Sequence, residues 1–342
     1  MPTLLRAAVL TKYLLVAQQL GLNPQPLLRR HGLTPAMLEN PDQLIAADSA
    51  VALLEDSAQA TGCNSFGLRM AEARQMADFG PVSLLLSHQR TLRDALRTTV
   101  QYRHLLNESL ALFRAAVGRT VRVREEVVTD HPGPARQATE LALGALFRLC
   151  SSLLGQHWHP LTVNFAYEAP AETQIYSRLF GCKLEFGSEF NGFVFSSVDL
   201  DTPNPLADPV MARYAERFIQ SLPGVSDHSL LLDVRKAIYL LLPMGRATVE
   251  QVAQAQAVNV RTLQRRLDAE GVTFSQLINE VRRDLVRRYM ENPRYSLGRI
   301  AQLLGYSVPS SFTRWFTTQF GMAPAVWRQR RQSRGGGVQA GE

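Results

Sequence analysis

The sequence predicts two regions of different class: an α+β region over residues 1–225, then an all-α region, 226–334, built on a duplicated helix–turn–helix. Three observations predict it. LALFRAAV (110–117) and TVRVREEVV (120–128) alternate apolar and polar residues around Gly118-Arg119, which marks a β-hairpin in the first region. SLPGVSD (221–227) gathers Pro, Gly, Ser and Asp between two helical patterns and reads as the joint. TLQRRLDAEG (262–271) realigns with SFTRWFTTQFG (311–321), matching Leu263 to Phe312, Arg265 to Arg314, Leu267 to Phe316 and Gly271 to Gly321.

The elements follow in chain order. In MPTLLRAAVLTKYLLVAQQLGL, Lys12 interrupts the apolar run and no small-residue cleavage site follows, so a leader peptide is not expected. Leu4, Leu5, Ala8, Leu15 and Leu20 read as one face of an amphipathic helix. Further helices extend to about 106, then the hairpin, an apolar helix over 135–154, a strand over 161–167 and a short helix over 172–179. Strands at 183–186 and 192–195 complete the α+β arrangement. Helical patterns at 210–222 and 228–242 flank the joint, and the tail from 335 reads as flexible.

In the second region each copy has a short helix carrying a small residue (Val252-Ala253, Ile300-Ala301), a turn, and a second helix ending at Gly. The copies lie at about 249–270 and 297–320. Small residues let two steeply crossing helices approach, and Gly305 suits a turn that needs positive φ. Phe312 and Phe316, four apart, face inward, while Thr313 and Arg314 lie off that stripe. Pro309 fits a first helical position, where its missing N–H costs nothing. Between the copies, Leu277, Ile278, Val281, Leu285 and Tyr289 mark a connecting helix over 274–290, with Arg282, Arg283, Arg287 and Arg288 on its other face. Asn292-Pro293 stops it.

Composition narrows the function. With 46% apolar and 20% charged residues the chain is globular rather than disordered. Cys63, Cys150 and Cys182 are far apart with no CxxC, so neither a disulfide framework nor a thiolate metal site is expected, and a reducing cytoplasm fits. No apolar stretch reaches the roughly 20 residues that span a bilayer. His157 and His159 flank Trp158 without a nearby third ligand, and Glu125-Glu126 has no partner legible in sequence. No phosphate-cradling Gly loop or nucleophile–His pattern occurs, so no enzyme activity, cofactor or metal is expected.

Charge is informative once the chain is divided. Residues 227–342 carry 17 Arg plus Lys against 9 Asp plus Glu, whereas residues 1–226 carry 20 against 21. The whole cationic excess therefore sits in the duplicated region, the footprint of a domain that meets a polyanion, most simply nucleic acid. All but Lys236 of the 17 are Arg, whose fork matches phosphates and guanine edges.

Residues 248–331 resemble the tandem helix-turn-helix DNA-binding domain of the AraC/XylS family of bacterial transcription regulators. The second copy carries the pattern: Ala301, Gly305-Tyr306, Phe312, Phe316, Gly321, Pro324 and Trp327-Arg328 at fixed spacings. The first departs from it, with Gln256 and Ala257 where the family has an apolar residue and Gly, and Phe274 where Pro is common. The resemblance implies double-stranded DNA as partner. It places base contacts at Arg261, Thr262, Gln264 and Arg265 in the first copy and at Pro309, Ser310, Thr313 and Arg314 in the second. Arg282, Arg283, Arg287 and Arg288 are expected at phosphates, and Asn259 as a helix N-cap. LLEDSAQATGCNSFGLRMAE, FGPVSLLLSHQRTLRDAL and FGCKLEFGSEFNGFVFSSVDLDTPNP resemble the arabinose-binding-type sensor domain of one branch of these regulators. That implies a transcription activator answering an unknown small-molecule effector and meeting RNA polymerase, with a homodimer left open. A DNA-repair enzyme sharing the module needs a reactive cysteine, and none is in a suitable setting.

Overall fold

The computed structural model describes residues 3–131, 133–222 and 230–335. The chain divides into two compact units, Met1–Ser229 and Leu230–Glu342. Most of the expected joint (residues 223–227) and the tail beyond 335 lie outside the described residues.

The opening segment is not one amphipathic helix. β1 (Leu4–Arg6) pairs antiparallel with β2 (Leu44–Ala46), a 3-10 turn follows at Ala7–Leu10, and the helix proper is Tyr13–Gln19. Lys12 causes the break: its φ of 76° is left-handed, which an α-helix does not continue through. Leu4 and Leu15, assigned to the buried face, are 43% and 44% exposed, while Leu5, Leu10, Tyr13 and Val16 reach the core. A three-residue strand is too short to announce its period in sequence.

The hairpin is present as β3 (Leu110–Val117) and β4 (Thr120–Val127). With β5 (Thr162–Phe165), β6 (Lys183–Phe186) and β7 (Asn191–Ser196) it builds one sheet of order β3-β4-β7-β5-β6. Only β5 and β6 run parallel, joined by the helix Gln174–Phe180 as a crossover. One face of this mixed sheet packs on the apolar helix Arg136–Leu154. Val121, Val123, Val163, Phe165, Phe193 and Phe195 meet Leu143, Leu146, Phe147 and Leu153 in a shared core.

That helix crosses Phe66–Ala73 at backbone contact. A Cβ on Gly144 would stand 2.4 Å from Cβ of Ala71, and one on Gly67 only 2.0 Å from the carbonyl oxygen of Gln137. Gln137 locks the crossing, accepting from the Gly67 N–H (2.9 Å) and donating to the Asn64 carbonyl (3.0 Å). Farther along, one oxygen of the fully buried Glu140 accepts from Tyr167 (2.8 Å), Tyr176 (2.5 Å) and Arg136 (2.8 Å), a network that opposes the rise in its carboxyl that desolvation causes. Glu125 differs: buried in β4 with neither oxygen hydrogen-bonded, its carboxyl is pushed well above the ordinary range by desolvation. Burial also pushes the Cys150 thiol up to about 12 and that of Cys182 up to about 11, the opposite of an activated thiolate. His159 is structural, with Nδ1 2.9 Å from the Phe180 carbonyl and its ring stacked on Phe147.

Among its described residues the second unit holds helices joined by short turns and no strand. It runs through Leu230–Leu241, Val249–Ala255, Val260–Ala269, Phe274–Glu291, Leu297–Leu303, Pro309–Phe320 and Pro324–Gly335. Four starts are set by N-caps: the side chains of Thr248, Asn259, Thr273 and Ser296 accept from the N–H groups of Gln251, Thr262, Gln276 and Arg299. Among the described residues, no helix of the protein is long and apolar enough to cross a membrane.

Candidate nucleic-acid interface

Both copies close their turns by the same hydrogen bonds. In the first, the N–H of Val258 reaches back to the Ala253 carbonyl (3.0 Å) and that of Ala257 to Gln254 (3.0 Å). In the second, Tyr306 reaches Ala301 (2.9 Å) and Gly305 reaches Gln302 (2.9 Å). This closure is the Schellman pattern, which places one residue in left-handed conformation. Gly305 takes it at φ 75° and Ala257 at φ 53°. The departure noted in sequence is thus accommodated without changing the turn, at a cost of about 1 kcal/mol for a residue with a Cβ. Ala257→Gly is expected to raise the unfolding free energy of the protein by about that amount. Urea denaturation checks this, and an unchanged or lowered midpoint counts against it.

Beneath the turns, Ala253 and Ala301 are each 1% exposed, so the first helix of each copy is pressed against the second. Leu263 and Leu267 in the first copy, Phe312 and Phe316 in the second, are buried to the same degree. Phe316 sits at the centre of a ring cluster, 4.5 Å from Phe320, 5.7 Å from Phe312 and 6.0 Å from Trp327 between centroids. Trp315 is tied by its indole N–H to Asn279 of the connecting helix (3.1 Å).

With the apolar side fixed, the opposite side of each second helix is set by the 3.6-residue period. Arg261, Gln264 and Arg265 are exposed and Thr262 half-exposed on Val260–Ala269; Pro309, Ser310, Thr313 and Arg314 are exposed on Pro309–Phe320. Among the described residues, the guanidinium groups of Arg261, Arg265 and Arg314 have no ion pair or hydrogen bond. The Thr313 hydroxyl donates to the Pro309 carbonyl (3.1 Å), leaving its oxygen as an acceptor. Asn259 spends its side-chain oxygen on the Thr262 N–H (2.8 Å), whereas Val308 caps the second helix without any side-chain bond. One candidate escaped the sequence reading. Asp268 lies on the same concave surface as Asn259, Arg261, Thr262, Gln264 and Arg265. Its place one turn beyond Arg265 was the available signal.

The four arginines of the connecting helix do not form one solvated face. Arg283 and Arg287 are exposed, Arg283 bonding Gln319 (3.1 Å), but Arg282 and Arg288 are half-buried. Arg282 turns inward: its Nε donates to the Leu304 carbonyl (3.0 Å) and its guanidinium lies 4.4 Å over the Tyr306 ring. Burial lowers its pKa from the ordinary Arg value. It sits four residues after Ile278 and three before Leu285, on the margin of the apolar stripe, where one side chain can satisfy an orphan helix-end carbonyl.

Two short crossing helices, repeated, each exposing unpaired cations from its second member, form a double wedge of the kind that enters DNA grooves. Residues 252–330 match the family of the helix-turn-helix domain, and residues 21–204 match the arabinose-binding N-terminal domain of AraC transcription regulators. The chain is 31% identical over 328 residues, covering 95% of it and 96% of its relative, to the HTH-type transcriptional regulator VirS of Mycobacterium tuberculosis. It belongs to the AraC family. A second relative is the ornithine utilization regulator of Pseudomonas aeruginosa, 26% identical over 313 residues, 90% of this chain and 91% of that one. A third, the urease operon transcriptional activator of Escherichia coli, is 33% identical over 92 residues, 27% of this chain and 31% of its own length. This AraC-family chain is therefore a DNA-binding transcription regulator and not an enzyme.

Proposed function

We propose that this regulator activates transcription in the cytoplasm, reading double-stranded DNA through both helix–turn–helix copies and contacting RNA polymerase in response to a small molecule held by its N-terminal unit. The observation that carries the DNA contacts is the set of guanidinium groups of Arg261, Arg265 and Arg314 on the exposed side of the two second helices, unpartnered among the described residues. Arg265 and Arg314 suit guanine O6 and N7, Gln264 suits the adenine edge, and Arg261, Thr262, Pro309, Ser310 and Thr313 complete the two surfaces. Arg283 and Arg287 are the connecting-helix arginines we assign to phosphate, with Arg282 and Arg288 as supports. The 18-residue connecting helix is about 27 Å long at 1.5 Å per residue, a spacer suited to seating the two wedges in successive major grooves. Activation is supported by the likeness to the urease operon activator. A homodimer would place four wedges on DNA and is compatible with this reading.

Footprinting of the full chain on DNA flanking its own gene tests the proposal, with and without candidate metabolites. Protection that covers two adjacent major grooves on one side of the duplex is expected, and protection of a single groove would refute it. Arg287→Ala is expected to weaken operator and scrambled duplex alike and to lower the slope of log affinity against log salt by about 1. Anisotropy titrations across a salt series measure this, and a loss confined to the operator would reassign Arg287 to base reading.

A further inference from the structure

We infer that the effector cavity of the N-terminal unit takes a small monocarboxylate with an apolar body, its carboxylate on Arg74; this rests on the effector-sensing reading above. A cavity of ≈ 90 Å³ lies among Leu54, Leu141, Ala142, Leu146 and Leu149, against the helix Arg136–Leu154. Its wall includes Arg74 and Arg103 and, among the described residues, no Asp or Glu. Arg74 is 7% exposed. Among the described residues its guanidinium bonds the backbone carbonyls of Ala8 (2.9 Å) and Val9 (2.5 Å), and its buried Nε has no partner. The acid near enough to favour its charge is Asp78, but that carboxylate is engaged by the Gln75 N–H (2.8 Å) and by Lys12 (3.5 Å).

A buried cation without a carboxylate partner is costly unless something else neutralises it. Desolvation lowers the Arg74 guanidinium to about 10, which leaves it cationic at neutral pH. Both hydroxyls of the lining are already committed: that of Thr99 donates to Ala95 (2.9 Å) and that of Ser109 to Asn107 (2.7 Å). An organic anion supplies the missing charge and fills the aliphatic wall with its own chain. A polyhydroxylated sugar fits poorly, because its hydroxyls would be desolvated against leucines. Size limits the chain, since an apolar cavity of about 150 Å³ holds benzene.

Titration calorimetry on the full-length protein tests this with straight-chain carboxylates from acetate to butanoate, against 1-alkanols and alkylamines of equal length. The carboxylate is expected to bind more than about tenfold tighter than the alcohol, and the amine not at all. Arg74→Gln is expected to remove that preference while leaving alcohol binding unchanged. Ala142→Phe, which fills the cavity with Arg74 in place, is expected to abolish both. Equal binding of alcohol and carboxylate by the unaltered protein, or no binding by any probe, overturns the inference, and this comparison does not depend on either variant folding. Operator affinity is read in the same samples. Arg74-dependent carboxylate binding that leaves DNA affinity unchanged upholds the site and refutes the sensing role. Preference for the alcohol refutes the anion assignment and leaves sensing intact.

Discussion

Phe316→Ala is expected to destabilise the C-terminal unit by about 3–5 kcal/mol and to abolish DNA binding. Phe316 is fully buried and packs against Phe312, Phe320 and Trp327, so truncation removes a ring from the centre of the cluster. Few domains have more than about 5–15 kcal/mol in total, so the second wedge would be unfolded in a sizeable fraction of molecules. Phe316→Leu keeps most of the volume and is expected to cost less than the truncation. Urea unfolding followed by the fluorescence of Trp315 and Trp327 separates the two. A loss of under about 1 kcal/mol in the Ala variant would show that the cluster is dispensable and that Phe316 is free to do something else.

The second large effect is on sequence choice. Arg265→Ala and Arg314→Ala are each expected to remove about 1–3 kcal/mol of preference for the operator over a scrambled duplex, roughly fivefold to over a hundredfold. Among the described residues neither side chain holds a partner, so folding is expected to be nearly unchanged, as for other exposed substitutions. Competition mobility shifts give the ratio directly. Equal weakening on both duplexes would assign these arginines to phosphate. The salt slope separates them further: Arg287→Ala lowers it by about 1, whereas loss of a base contact leaves it nearly constant.

Much of the exposed side of the two second helices was legible because helix period and exposure are linked. Once Phe312 and Phe316 are inward, Thr313 and Arg314 have only the outer side to occupy. The hairpin at Gly118-Arg119 was legible for the same reason, with a period of two. What escaped depended on contacts distant in sequence. Nothing in LLR (4–6) announces a strand whose partner lies some forty residues on, and Lys12 gives no residue-type signal for its left-handed backbone. Arg282 was placed with its exposed neighbours because charge alone does not reveal that a carbonyl and an aromatic ring wait on the far side of a turn. Arg74 was invisible as a site residue, since its isolation comes from which acids fail to reach it.

The glycine crossing of Phe66–Ala73 with Arg136–Leu154 has a mechanical outcome. Because Gly67 brings the backbones into touch and Gly144 seats the Ala71 methyl, neither rod can be nudged without carrying its neighbour along. Leu141, Ala142 and Ala145 border the cavity from the same rod as Gly144. A guest wedged there would push a rigid lever instead of a yielding wall, and the stroke would be felt at the far end of both helices.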